Sequence, residues 1–239
     1  MSSGERFAFE PVGIIHSCFK ESFGIPRQAG LVPANEATLH LLPPYDVPDA
    51  LRGLQGFSHV WILFVFHGEY GVAWAPLVRP PRLGGNDKIG VFASRSPHRP
   101  NPIGLSAVKL LSIDTAPPGV RLRLGGGDFL DGTPVLDVKP YVSYADALPD
   151  ATSGYAAPPP GPVLQVEFSD EASAQCEAEA YRYPQLKTLI TQMLALDPRP
   201  AYLAQQGDGR VFGCRLLDFD VKWTVREAIA TVIRLEVPG

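Results

Sequence analysis

The 239-residue chain predicts a mainly β protein that ends in a smaller α+β unit. Three observations carry that expectation. Twenty-five residues are proline, about twice the ordinary share of roughly 5%, which favours short strands and fixed loops over long helices. Short apolar, β-branched and aromatic runs recur between turn-forming residues through the first part of the chain. The segment LPDATSGYAAPPPGP (Leu148 to Pro162) then separates that part from a stretch with helical periodicity. The expected layout is a first domain over 1–148, a Pro-rich linker over 149–162 and an α+β domain over 163–239.

Composition sets the limits. Hydrophobic residues make up 45% and charged residues 19%, ordinary for a globular chain with a packed core. The longest apolar run, Val60 to Phe66, is too short to span a bilayer. The N-terminus MSSGERFAFEP has no apolar signal core, so a cytoplasmic protein is expected. Cys18, Cys176 and Cys214 lie far apart without metal-ligand spacing and read as reduced, structural thiols. A net charge of −4 argues against non-specific coating of nucleic acid. Charge is nonetheless concentrated locally: Arg79, Arg82, Lys88, Arg95 and Arg99 face a single acid, Asp87, in that stretch.

Phe7 to Ser17 reads as a first strand, with Pro11 at an edge or bulge. Gly24 to Pro33 is a loop by composition and carries Pro26-Arg27-Gln28. Ala37 to Leu42 is a second strand and Pro48 to Leu54 a short helix stopped near Gly56. His59 to Phe66 reads as a strand buried on both faces, with His59 and His67 at its ends. Val78 to Gly85 is a turn-rich connection. Ile103 to Ile113 is a long strand, separated by a loop from Val120 to Leu124. Gly125-Gly126-Gly127 is not a phosphate loop, because no GK[ST], GxGxxG spacing or following helix accompanies it. Asp131-Gly132 marks a tight turn. Beyond the linker, Leu164 to Phe168 is a strand and Ser169-Asp170-Glu171 starts a helix. Pro184 to Leu196 is amphipathic, with Leu186, Leu189, Ile190, Met193 and Leu194 on one face. DPRPAY (Asp197 to Tyr202) ends that helix. Two closing strands are expected, Val211 to Val221 and Ala228 to Val237.

The stretch Asp87 to Gly104, DKIGVFASRSPHRPNPIG, carries the chemistry. No strand can continue through Pro97, Pro100 and Pro102, each lacking an amide hydrogen. A stiff loop should result, presenting Arg95, His98, Arg99 and Asn101 at little entropic cost. Held arginines suit a carboxylate, a phosphate or a nucleic-acid backbone.

The run GVFASRSPHRPN followed by PIGLS (Gly90 to Ser106), with IPRQ, GFSHVW, VFH and LDGTPVLDVKPY elsewhere, resembles the signature of the TrmO (YaeB-like) family. That resemblance implies a methyltransferase using S-adenosyl-L-methionine on threonylcarbamoyladenosine at tRNA position 37, beside the anticodon. It implies a small antiparallel β-barrel in place of the Rossmann-type fold, and a two-fold homodimer with the cofactor near the interface. The matching segments place Pro26, Arg27 and Gln28, then His67 and Gly68, then Asp128, Leu130, Asp131, Gly132 and Thr133 beside the cofactor.

Methyl transfer from a sulfonium is mainly a positioning problem, which fits a chain without a nucleophile or metal motif. Arg27 or Arg95 would pair with the cofactor's carboxylate. Ile89, Phe92 and Leu105 would supply an apolar slot for adenine. Backbone carbonyls or Asp131 would face the sulfur. Asp131 and His67 are candidates for taking the proton from the ureido nitrogen. Arg99, Arg82 or Lys88 would hold the acceptor's carboxylate, with His98 and Asn101 alongside on the RNA side. No metal is expected. The competing readings are a non-catalytic RNA- or nucleotide-binding barrel and a methyltransferase with another acceptor. The C-terminal domain is expected to help grip tRNA, so that its deletion weakens RNA binding without abolishing cofactor binding.

Overall fold

The protein is described by a computed structural model over residues 7–84, 87–200 and 209–238. Strands β1 (Gly13–Ser17), β2 (Glu36–Leu41) and β3 (His59–Val65) come first. A two-stranded ribbon, β4 (Leu77–Val78) and β5 (Ile89–Gly90), follows. Then come β6 (Ile103–Asp114), β7 (Arg121–Gly125) and β8 (Thr133–Pro140). Six of these close a barrel in the order β1-β2-β7-β6-β3-β8, and every neighbouring pair is antiparallel. Alternate residues point inward, as the period of two requires. Ile15, Leu39, Ile62, Leu122 and Val135 are fully buried there, each stabilising by roughly 1.5–3 kcal/mol relative to exposure.

The barrel corrects several expectations. The first strand begins only at Gly13, because Pro11 has no amide to offer; the ladder is entered at Val12, whose N–H donates to Val135 O at 2.7 Å. β3 is buried on one face only: Val60, Ile62 and Phe64 fill the interior while Trp61, Leu63 and Val65 are half-buried outside. A barrel wall has an inside and an outside, so alternation survives in a strand whose sequence is apolar throughout. The expected helix over Pro48 to Leu54 is two 3-10 turns, Pro48–Leu51 and Leu54–Gly56. Gly53 separates them at φ 90°.

After a short helix α1 (Ser143–Asp146) and the Pro-rich segment, β9 (Gln165–Phe168) leads into α2 (Asp170–Ala178) and α3 (Leu186–Ala195). Ser169 caps α2, its hydroxyl accepting from Ala172 N at 3.0 Å. The expected apolar face of α3 is buried. The helix-ending segment from Asp197 is described only to Pro200; Ala201 and Tyr202 lie outside the described residues. Three strands close the chain where two were expected: β10 (Phe212–Leu216), β11 (Phe219–Arg226) and β12 (Ile229–Glu236), in a sheet ordered β10-β11-β12-β9. The hairpins turn at Leu217 (φ 56°) and at Glu227 and Ala228 (φ 46° and 64°). None of these residue types advertises a left-handed turn.

The linker separates elements, but the two cores do not divide the sequence at it. The core beneath the C-terminal sheet also takes in Cys18, Phe19 and Val32, from the connection between β1 and β2. Arg82, expected to contact RNA, instead donates to the carbonyls of Ala156 (2.7 Å) and Pro158 in the linker. All three cysteines are buried free thiols, and burial pushes the Cys18 thiol up to about 12. Among the described residues no helix is long and apolar enough to cross a membrane, and no group of ligating side chains could hold a metal ion.

Candidate active site

Antiparallel pairing brings the end of β3 and the starts of β6 and β8 to one rim of the barrel. The proline-rich loop is built onto that rim. A 3-10 turn, Val91–Ala93, ends the short β5. The Ser94 hydroxyl donates to Val91 O at 2.8 Å and accepts from Ser96 N at 3.3 Å. The Ser96 hydroxyl accepts from His98 N at 3.3 Å, and Arg99 donates to Ser94 O at 3.3 Å and Ser96 O at 3.4 Å. Phe66 N donates to Pro102 O at 2.8 Å, tying the loop's end to that of β3. The hydroxyls substitute for the ladder bonds that the prolines remove.

Between this loop and the segment from Ser22 to Gln28 lies a cavity of about 560 Å³, in the range of small-molecule sites. Of the residues singled out from sequence, Pro26, Arg27, Gln28, His67, Gly68 and Arg95 line it. So do Arg99, Asn101, Leu105, Asp128, Leu130 and Thr133. Arg95 Nη1 donates to Gln28 Oε1, fastening two pieces of the wall that are far apart in sequence. Thr133 Oγ1 donates to Leu130 O at 2.7 Å and lies 3.4 Å from His67 Nδ1. With the hydroxyl hydrogen spent on Leu130, the Thr133 oxygen faces His67 Nδ1 as an acceptor.

Two aspartates differ sharply. Asp128 lines the cavity and accepts from Ser106 Oγ at 2.6 Å. Burial raises its pKa above the usual carboxylate value, against the opposing pull of Ser106, its own amide, Arg95 and the Ala29 amide. Asp131 does not line the cavity. Its carboxylate accepts from Ser17 N at 2.9 Å and pairs with Lys20 Nζ at 2.9 Å. Partial burial would raise its pKa, but Lys20 and the Ser17 amide together hold it below the usual value. A carboxylate so engaged is a poor proton acceptor, which counts against the expected role of Asp131 at the sulfur or as a base.

Other residues singled out from sequence also lie elsewhere. Phe92 is 76% exposed and is not among the residues lining the cavity. Gly132, Lys88 and Ile89 are outside its lining, as is Arg82. His98 pairs at 3.5 Å with Glu69, a residue that does line it. Sequence reasoning missed Ser22, Trp61, Phe64 to Phe66, Glu69, Pro97 and the start of β6 at Ile103, Gly104 and Ser106. The strand end carried a usable signal, since Phe66 directly precedes His67. Ser106 carried none: its pairing with Asp128 depends on how the barrel closes.

The residues present fit S-adenosylmethionine. Arg27 and Arg95 offer cations for its carboxylate, Ile25, Phe66, Leu105 and Leu130 offer apolar wall, and the desolvated Asp128 lacks a full counter-cation that a sulfonium or ammonium would supply.

Comparison with known proteins agrees. Residues 14–147 match the tRNA-methyltransferase O N-terminal domain, and residues 161–238 match the TrmO C-terminal domain. The chain is 49% identical over 230 residues to the tRNA (adenine(37)-N6)-methyltransferase of Escherichia coli K12, covering 96% of this chain and 98% of that one. It is 53% identical over 215 residues to a Pseudomonas aeruginosa protein named "Putative S-adenosylmethionine-dependent methyltransferase RcsF", covering 89% and 90%. The crystal structure of TrmO from P. aeruginosa superposes with a TM-score of 0.82 at 44% identity, covering all of both chains. With both family domains matched in order and the whole fold shared with a solved member, the chain belongs to the tRNA-methyltransferase O (TrmO) family.

Proposed function

We propose that the chain, an S-adenosylmethionine-dependent tRNA methyltransferase by family, methylates N6 of the adenine at position 37 when that base carries a threonylcarbamoyl group. The observation that carries this reading is one cavity that gathers three arginines, a histidine and a desolvated carboxylate. The bound cofactor supplies a methyl group already activated on a sulfonium, which leaves positioning and charge management to the protein. Arg27 and Arg95 hold the cofactor's carboxylate, and Asp128 faces its positive charge. Arg99, braced by two backbone carbonyls, takes the carboxylate of the threonyl arm. His67 Nε2 receives the proton that leaves N6 as the methyl arrives. A base in the anticodon loop is unpaired and can be turned into such a pocket at modest cost.

We infer a homodimer acting in the cytoplasm. Tyr70, Val72, Trp74 and Leu77 follow the cavity residue Glu69 and are exposed, as is Phe92 on the neighbouring strand connection. So much apolar surface beside a site supports an interface. Sedimentation of the purified protein tests it, and a strict monomer at micromolar concentration would rule it out. The activity is tested by incubating tRNA with protein and cofactor and weighing the digested nucleosides. A gain of one methyl on threonylcarbamoyladenosine is expected, lost in His67→Ala and Arg99→Ala. Methylation of unmodified tRNA alone would point to another acceptor.

A further inference from the structure

The connection from Cys18 to Asn35 leaves the barrel after β1 and rejoins it at β2, yet between those points it packs against the other half of the chain. Phe19 is 1% exposed inside the C-terminal core, with Phe23 and Ile25 packed against that core. Phe23 stacks on Trp223 with ring centroids 5.8 Å apart and planes 11° apart. Leu217 N donates to Cys18 O at 2.7 Å, and Arg215 N donates to the Glu21 carboxylate at 3.0 Å. At the far end, Ala34 N donates to Gln192 Oε1 on α3 at 2.9 Å. Gly24 holds φ 97°, and a Cβ there would meet Met193 Sδ at 3.1 Å. Directly after this pressed turn come Ile25 to Gln28, four consecutive residues of the cavity wall.

We propose that the C-terminal unit positions the cofactor wall: α3, β10 and β11 hold the Cys18–Asn35 connection so that Arg27 and Gln28 face the cavity. Gln192 is a positioning residue in this arrangement and touches no ligand itself. The proposal rests on the reading of the cavity as the cofactor site. Its physical basis is that a connection this long, freed from its anchors, would have to be ordered at the moment of binding, and that ordering weakens affinity. On this basis the two halves are not separable for cofactor binding.

The test uses the full chain as wild type, Gln192→Leu and Gln192→Glu. Each is titrated with S-adenosylmethionine by calorimetry, and each is exposed to trace trypsin without cofactor, following cleavage after the exposed Arg27. The Leu variant strands the Ala34 N–H, so its dissociation constant should rise about tenfold with unchanged stoichiometry; partial unfolding would lower the stoichiometry instead. The Glu variant keeps an acceptor for Ala34 N and should bind within about twofold of wild type. Trypsin should cut the Leu variant faster and the Glu variant at the wild-type rate. Wild-type affinity and cleavage in Gln192→Leu would overturn the proposal. If wild-type protein itself binds no cofactor, the reading of the cavity falls, and the trypsin rates still decide whether the C-terminal unit holds the segment. Should Gln192→Leu fail to fold, Gly24→Ala takes its place with the same two readouts, and wild-type values there overturn the proposal equally.

Discussion

Asp128 lies just before the turn that contains Asp131, and the charge of each is managed for a different purpose. Asp131 has a folded pKa below its ordinary value. Its bonds to Lys20 and Ser17 thus contribute stability above the unfolded carboxylate value, about 3.9, and that stability is lost as pH falls through the folded value. Asp131→Asn should therefore cost about 1.5 kcal/mol in urea unfolding at neutral pH, the low end for a hydrogen bond to a charged group, because the pair is part-exposed. The cost should vanish in acid. Asp128 has the opposite sign: its pKa is raised, so the folded state becomes less favoured as pH rises from the unfolded value through the folded one. Asp128→Asn should melt at or above the wild-type temperature at neutral pH while binding S-adenosylmethionine more weakly. In wild type, cofactor affinity should decline on acidification as Asp128 takes up its proton, and calorimetry across that range should find the Asn variant flat. Composition at these two positions is identical; only the partners brought by folding, Ser106 for one and Lys20 for the other, tell them apart.

At the level of elements, what could be read depended on whether the signal was local. The loop after β5 was legible because Pro97, Pro100 and Pro102 forbid a strand, while Ser94 and Ser96 just before them supply replacement bonds. The face of α3 was legible because a helix repeats its pattern within a few residues. The sidedness of β3 was not, since an apolar run looks alike whether one face or two are buried. The hairpin at Glu227 and Ala228 was hidden too: neither residue favours positive φ, and the pairing of β11 with β12 imposes it. Where strand and loop meet, Gly104 shows how tightly the rim is packed. A Cβ there would sit 2.2 Å from a ring carbon of Phe64, across the ladder from it. Gly104→Ala should destabilise by about 1–3 kcal/mol through overpacking, read as an earlier urea midpoint with an unchanged slope. Because Gly104 also lines the cavity, cofactor affinity should fall with it.

At the scale of the molecule, two sequence regions joined by a linker become two cores that share one connection. Phe19 and Val32 are each buried to about 1% exposure on the side of the chain they do not belong to by sequence. Burial of that kind is a long-range fact that no local pattern announces, and a boundary placed by the prolines carries no information about the crossing. Heating should melt both halves in a single calorimetric transition, and removing residues 163–239 should abolish cofactor binding instead of sparing it. The linker offers little help in holding the halves together, and little is needed. Its prolines supply acceptors without donors, and Arg82 satisfies two of its carbonyls. A backbone nick between Leu148 and Val163 would consequently release nothing. The severed pieces would travel through a sizing column as one particle, and two separately purified fragments, each with half of an unfinished surface, would recover cofactor binding on mixing. Reassembly of the two fragments would then report directly on the integrity of the site.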